Sequence, residues 1–96
     1  MQTDDIEAVG IDNARSLWVK PATATFPYIY REAMEVQWDP KRVCLYSPKP
    51  REWSYIDWFA QIRAAALNQG VDLRIGPATA WIGVDPELRR SFEQMA

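Results

Sequence analysis

The clearest pattern in the chain is an alternation of apolar and polar positions between residues 28 and 38. The even positions form the more apolar set: Tyr28, Tyr30, Glu32, Met34, Val36 and Trp38. Successive side chains of a strand point to opposite faces, so this period of two predicts a β-strand. Asp39-Pro40-Lys41 then predicts a turn, and residues 43–46 predict the returning strand of a β-hairpin.

A helical pattern follows between residues 50 and 68. Pro50 suits the first turn of a helix, and Gly70 suits the left-handed conformation that follows the last turn. The apolar residues form two stripes. The first stripe holds Tyr55, Phe59, Ile62 and Ala66, and the second holds Trp53, Ile56, Ala60, Ala64 and Leu67. A surface helix normally has one such stripe, so we expect this helix to be covered on two sides.

The last quarter of the chain predicts two short strands and a helix. Residues 71–75 alternate, Gly76-Pro77 predicts a turn, and residues 80–84 predict a strand in which Trp81 faces away from its neighbours. Asp85-Pro86-Glu87 has the N-cap acid, the proline and the first-turn acid of a helix start. The helix that follows has one apolar stripe, made of Leu88, Phe92 and Met95.

The N-terminal part is the least periodic. Residues 1–11 are acidic with few large apolar side chains, which predicts a frayed segment or a short helix that stops near Gly10. Asp12 could cap a helix over residues 13–19, while residues 16–20 fit an edge strand equally well. Pro21 would end either element.

Taken together, the elements have the order ββαββα, with an extra N-terminal helix as one interpretation. Strand pairs separated by helices predict an α+β fold, in which two hairpins form an antiparallel sheet and the helices pack on one face. The length of 96 residues suits a single domain, residues 1–96, with one core.

Composition narrows the chemistry through what is missing. The chain has no histidine and one cysteine, Cys44, so it lacks the commonest general base and the usual zinc ligands. Serine triads and cysteine–histidine pairs are excluded as well. We expect no metal, no cofactor and no catalytic site. An enzyme would have to use carboxylate and phenol groups, such as Glu32 with Tyr28 or Tyr30, and a role without catalysis is favoured.

The formal charge of -2, from 13 acids and 11 bases, disfavours nucleic acid and anionic membranes as partners. One basic cluster lies near aromatic residues, and we interpret it as a solvated turn: Lys41, Arg42, Lys49 and Arg51. The unpaired cysteine, the acidic start and the lack of a long apolar run predict a soluble cytoplasmic protein.

Five tryptophans in 96 residues are an unusual share. Tryptophan is enriched at protein interfaces and in ligand sites, although a small core also needs large side chains. The first hypothesis is an interaction module, either a homodimer or an adaptor for another protein, that works through the two-sided helix. Its interface candidates are Trp53, Tyr55, Trp58, Phe59 and Ile62.

Glu32 carries the second hypothesis, because it interrupts the apolar face of the first predicted strand. An ionised carboxylate on a core face is costly unless it is paired or hydrated. Glu32 therefore either pairs with an arginine such as Arg63 or Arg74, or anchors a small apolar or cationic ligand in a cavity between sheet and helix. The ligand-binding candidates are Glu32, Tyr28, Tyr30, Met34, Trp38 and Arg63.

Overall fold

The computed structural model describes residues 1–33, 35–48 and 53–95. Within these ranges the chain forms six strands, two α-helices and one 3-10 turn. They are β1 (Gln2–Ile11), β2 (Leu17–Pro21), the 3-10 turn (Ile29–Arg31), β3 (Gln37–Asp39), β4 (Cys44–Tyr46), α1 (Tyr55–Asn68), β5 (Val71–Arg74), β6 (Ala80–Ile82) and α2 (Pro86–Gln94).

The strands form one sheet with β1 at its centre, in the order β3-β4-β2-β1-β5. One edge of β1 pairs antiparallel with β2. The other edge pairs in parallel with β5 along residues 2–5 and with β6 along residues 8–10. The pairs β2–β4 and β3–β4 are antiparallel. The fold is therefore α+β with a mixed sheet, and the predicted all-antiparallel sheet is wrong.

The N-terminal predictions are also wrong. Residues 2–11 are the central strand, neither frayed nor helical. A bulge between Ile6 and Ala8 breaks the alternation that would have identified a strand. The buried Asp4 also resembles a surface residue in sequence, yet its carboxylate accepts hydrogen bonds from the Thr23 hydroxyl and the Ala24 amide, both at 2.9 Å. Residues 17–21 form a strand that lies between β1 and β4, and it is not an edge.

The long strand predicted over residues 28–38 is limited to Gln37–Asp39. The segment before it crosses the inner face of the sheet, and its buried side chains recur every three or four residues: Phe26, Ile29, Ala33 and Val36. The predicted hairpin is confirmed in its shorter form, because β3 and β4 pair antiparallel. At its turn, Asp39 Oδ1 accepts hydrogen bonds from the amides of Lys41 (2.9 Å) and Arg42 (3.1 Å).

The second predicted hairpin is wrong, because β5 and β6 both pair with β1 and not with each other. Thr79 holds the connection between them: its hydroxyl donates to the Ile6 carbonyl at 2.7 Å and accepts from the Gly76 amide at 3.0 Å. In β6, Trp81 packs against the core while Ala80 and Ile82 are exposed. The pairing partner of a parallel strand lies far away in sequence, so local alternation could not reveal it.

Both predicted helices are confirmed. The N-cap of α1 is Ser54, which forms a capping box with Asp57, and Pro50 lies outside the described residues. Gly70 follows α1 with φ of 89°, in the left-handed conformation expected of it. Asp85 caps α2, with its Oδ1 accepting from the Leu88 amide at 2.8 Å.

One hydrophobic core lies between the inner face of the sheet and a layer made of α1, α2 and residues 22–33 and 35–36. The sheet contributes Ile6, Val9, Leu17, Val19 and Leu45, which share one face. From the helices, the rings of Phe59 and Phe92 meet at 4.6 Å. The opposite face of the sheet, called the outer face below, carries no helix among the described residues.

Candidate functional site

Most of the predicted interface on α1 lies in the chain's own core. Phe59 and Ile62 are 0% exposed and Trp58 is 7% exposed. Tyr55 is half-buried, and its hydroxyl donates to a backbone carbonyl at 2.9 Å. Trp53 is 45% exposed, and its ring lies 4.9 Å from that of Trp58. Trp53 is therefore the one interface candidate with a large exposed fraction.

Most of the second apolar stripe of α1 has no cover among the described residues, contrary to expectation. Ala60 and Ala64 are exposed, Leu67 is 43% exposed and Ile56 is half-buried. Trp53 does not continue this stripe, because it precedes the N-cap and turns back onto Trp58. We call Ile56, Ala60, Ala64 and Leu67 the helix stripe.

The predicted ligand residues do not converge on one cavity, because the strand that was to align them does not form. Tyr28 and Tyr30 are 54% and 56% exposed, and the Arg31 guanidinium lies 4.8 Å from the Tyr28 ring centre. Trp38 packs edge-on against Phe26 with ring centres 5.9 Å apart. Met34 lies outside the described residues.

Glu32 and Arg63 have separate partners. The Glu32 carboxylate accepts a hydrogen bond from the Gln69 side chain at 2.7 Å. Arg63 donates to the carbonyls of Leu73 and Met95, each at 3.0 Å. The predicted Glu32–arginine pair is therefore replaced by a contact with the amide of Gln69.

The outer face of the sheet carries a row of residues with two aromatic side chains, which no pattern in the sequence predicted. Cross-strand pairing places five side-chain positions next to one another across β3, β4, β2, β1 and β6: Gln37, Tyr46, Trp18, Gly10 and Ile82. We call this set the outer row. Its sequence signal is faint, because each strand contributes a single position.

Gly10 allows the outer row to lie close to the sheet. The Trp18 indole lies over Gly10, and a Cβ at that position would overlap the Cε2 and Cζ2 atoms of the ring. Trp18 and Tyr46 are half-buried, while Ile82 is 52% exposed. The Tyr46 hydroxyl donates to Gln37 Oε1 at 2.7 Å, which holds the far end of the row.

The charges that border the outer row are compensated within the chain. Lys20 pairs with Glu7 at 3.4 Å, and Arg42 pairs with Asp12 at 3.5 Å. The Arg42 guanidinium also lies 5.8 Å from a ring centre of Trp18. On the same face Cys44 is 1% exposed, and burial raises the pKa of its thiol, so its thiolate is disfavoured.

A groove of about 570 Å³ opens on the helical side, beside the starts of both helices. Its lining includes Ile11 at the end of β1, Tyr55 at the start of α1, and Gly83, Leu88 and Ser91 from the β6–α2 region. None of the five predicted ligand residues that the structure describes lines it.

The described ranges contain neither a membrane-spanning helix nor a metal-binding cluster. Neither α1 nor α2 has the length and apolar content needed to cross a bilayer. Residues 1–33, 35–48 and 53–95 contain no group of three or more acidic or cysteine side chains arranged to hold a metal ion.

The comparisons with known proteins place the chain in a family. A solved structure described as "Structure from the mobile metagenome of North West Arm Sewage Outfall: Integron Cassette Protein Hfx_Cass5" is similar, with 48% sequence identity and a TM-score of 0.52. The match covers 98% of this chain and 95% of that chain. A comparison with curated proteins gave no match. The model of the family Integron Cassette Protein Hfx_Cass5 matches residues 4–79, which is most of the chain. The protein therefore belongs to the integron cassette protein Hfx_Cass5 family.

Proposed function

We propose that this cassette protein is a protein-interaction module that forms a homodimer through the outer face of its sheet. The observation that carries the proposal is the outer row. A sheet face that meets water normally alternates to polar side chains. Here that face holds Tyr46, Trp18 and Ile82 in one cross-strand row, in which Tyr46 and Trp18 are half-buried and Ile82 is 52% exposed. An apolar row on a sheet face that no described helix covers is typical of an interaction site.

The size and residue types of the outer face suit a protein partner. The molecule measures 30 × 29 × 24 Å along its principal axes. These extents set an upper limit on the area of one face, and a standard interface uses roughly 800 Å² per partner. Tryptophan and tyrosine are also the side chains that most often carry binding energy when they lie near the centre of a contact.

Charge favours a second copy of the chain over a nucleic acid. Because Lys20 and Arg42 already pair with acids, their charges are not free for phosphates. A face with balanced charges can approach its own copy about a two-fold axis without net repulsion. The overall charge of -2 also disfavours a nucleic acid as the partner.

The helix stripe is a second candidate surface, supported by its symmetry. Its order is large–small–small–large about residue 62, so two antiparallel copies of α1 would place Ile56 opposite Leu67 and Ala60 opposite Ala64. Small residues let two helices approach closely. Four side chains are few beside the roughly 20 residues per side of a standard interface, so this contact would be the weaker one.

Sedimentation velocity from micromolar to millimolar protein tests both surfaces. The variant Ile82→Glu charges the outer row, and Leu67→Glu charges the helix stripe. Tyr30→Glu is the matched control, because Tyr30 is as exposed as Ile82 and belongs to neither surface. Circular dichroism confirms that each variant is folded.

We expect the wild type, Leu67→Glu and Tyr30→Glu to dimerise and Ile82→Glu to remain monomeric. Dissociation by Leu67→Glu alone would overturn the outer-row proposal and assign the contact to α1. A wild type that stays monomeric at millimolar concentration would refute self-association through either surface.

A further inference from the structure

The groove on the helical side lies outside the carboxyl ends of two parallel strands. The strands β1 and β6 are parallel and end at Ile11 and Ile82, beside the groove. In open sheets of parallel strands, ligands commonly occupy the crevice outside the carboxyl ends of the strands. The helix α2 begins at Pro86, directly after this edge, and forms one wall.

The apolar part of the groove is held in place by contacts within the chain. The hydroxyl of Tyr55 donates to the Arg15 carbonyl at 2.9 Å, which fixes the ring. Ile11 and Leu88 are half-buried and pack against the core. Gly83 has φ of 68°, and a Cβ there would lie 2.9 Å from the Ile11 carbonyl oxygen. A glycine at this position therefore lets the backbone form the lining.

The polar part of the groove carries two carboxylates and one guanidinium. Asp85 uses Oδ1 to cap α2, which leaves its Oδ2 without that role. Glu87 makes no ion pair within the described ranges. Arg90 lies one helical turn further along, and Ser91 contributes a hydroxyl. The acidic end of the groove is therefore the start of α2.

We propose that this groove binds a small amphipathic amine. Its ammonium would meet the carboxylates of Asp85 and Glu87, and its apolar body would contact Ile11, Tyr55 and Leu88. The volume of about 570 Å³ lies within the range typical of small-molecule sites. The Tyr55 ring adds attraction for a cation, since aromatic faces are electronegative.

This site is separate from the proposed dimer surface. The groove lies on the helical side of the sheet, while the outer row lies on the opposite face. Its α2 wall also lies beyond residues 4–79, the segment that the family model matches. Binding can therefore be tested whether or not the protein dimerises.

Three probes of the same shape test the ligand class: phenethylamine, 2-phenylethanol and 3-phenylpropionate. Each is titrated into the full chain and followed by backbone amide NMR. We expect the amine to shift the amides of Gly83, Leu88 and Ser91 and to bind more tightly than the alcohol, with the acid weakest. Equal or tighter binding of the alcohol or the acid, or shifts that map elsewhere, would overturn the proposal.

A pair of variants on one helix tests the carboxylate. Glu87→Gln removes the charge in the groove without touching the cap that Asp85 provides. Glu93→Gln is the matched control, because Glu93 faces Arg89 at 3.6 Å and does not line the groove. We expect Glu87→Gln to weaken binding of the amine about threefold, as for an exposed ion pair, and to leave the alcohol unchanged. An equal loss in Glu93→Gln, or no loss in Glu87→Gln, would contradict the assigned role.

Discussion

The contact between Gly10 and Trp18 leads to a prediction whose magnitude follows from the structure. In Gly10→Ala, the new methyl group overlaps the indole of Trp18, so the ring has to move. Forcing an extra methyl into a packed site costs about 1–3 kcal/mol. Replacing glycine by alanine in a strand returns about 0.5–1 kcal/mol. Because Trp18 is half-buried and can swing outward, we expect a net loss of about 1–2 kcal/mol.

Urea unfolding followed by far-ultraviolet circular dichroism measures this loss without depending on the fluorescence of the displaced ring. A loss of this size lowers the Tm by about 4–16 °C in a chain of this length. Gly76→Ala is the matched control, since a Cβ at Gly76 meets nothing within 4 Å. It should leave the free energy of unfolding unchanged or slightly raised.

A double-mutant cycle isolates the contact. In a Trp18→Leu background the obstructing ring is absent, so Gly10→Ala should be neutral or stabilising. We expect a coupling free energy of about 1–2 kcal/mol between the two positions. Equal destabilisation by Gly10→Ala in both backgrounds would refute the argument, because the cost would then lie in the backbone of β1.

Three further predictions concern single side chains. Burial acts to raise the pKa of Asp4, but hydrogen bonds from Ala24 and Thr23 outweigh it and hold the pKa below the ordinary 3.8. The free energy of unfolding should therefore fall as the pH drops through that lowered pKa. Asp4→Asn should cost about 1–3 kcal/mol at neutral pH, and the free energy of unfolding measured by urea titration should then depend less on pH in the acid range. Val43 has φ of 54°, which strains a β-branched residue, so Val43→Asn should raise the free energy of unfolding by about 1 kcal/mol, and an unchanged or lower Tm would contradict this. Because the Cys44 thiol is buried and its pKa is raised, a disulfide reagent should label it only as the protein unfolds; rapid labelling of the native protein would show that the thiol is accessible.

The elements that the sequence predicted correctly are those whose signals are local. Asp85 and Pro86 mark the start of α2, and Gly70 marks the end of α1. The turn at Asp39 is equally local, because its carboxylate bonds to amides two and three residues further on. Caps and turns of this kind are stabilised by neighbours along the chain, so a single sequence contains enough information to find them.

The candidate sites were predicted less well, because they depend on contacts between distant segments. Glu32 and Arg63 were grouped on the assumption of a strand over 28–38, and the structure places them against different partners. The outer row consists of single positions from five strands, and Trp18 meets Gly10 only because β2 pairs with β1 in one register. No local pattern in the sequence records that register.

The two helices and the β3–β4 turn could be predicted from the sequence, and histidine chemistry could be excluded, because these features follow from residue type and from neighbours within a few positions. The central place of β1 and its parallel pairing with β5 and β6 became visible only in the folded chain. So did the division of the aromatic rings between the core and the outer face. The physical reason is that strand pairing is a long-range choice: it buries the whole inner face of the sheet at once, and that gain outweighs the weak local preferences of each segment.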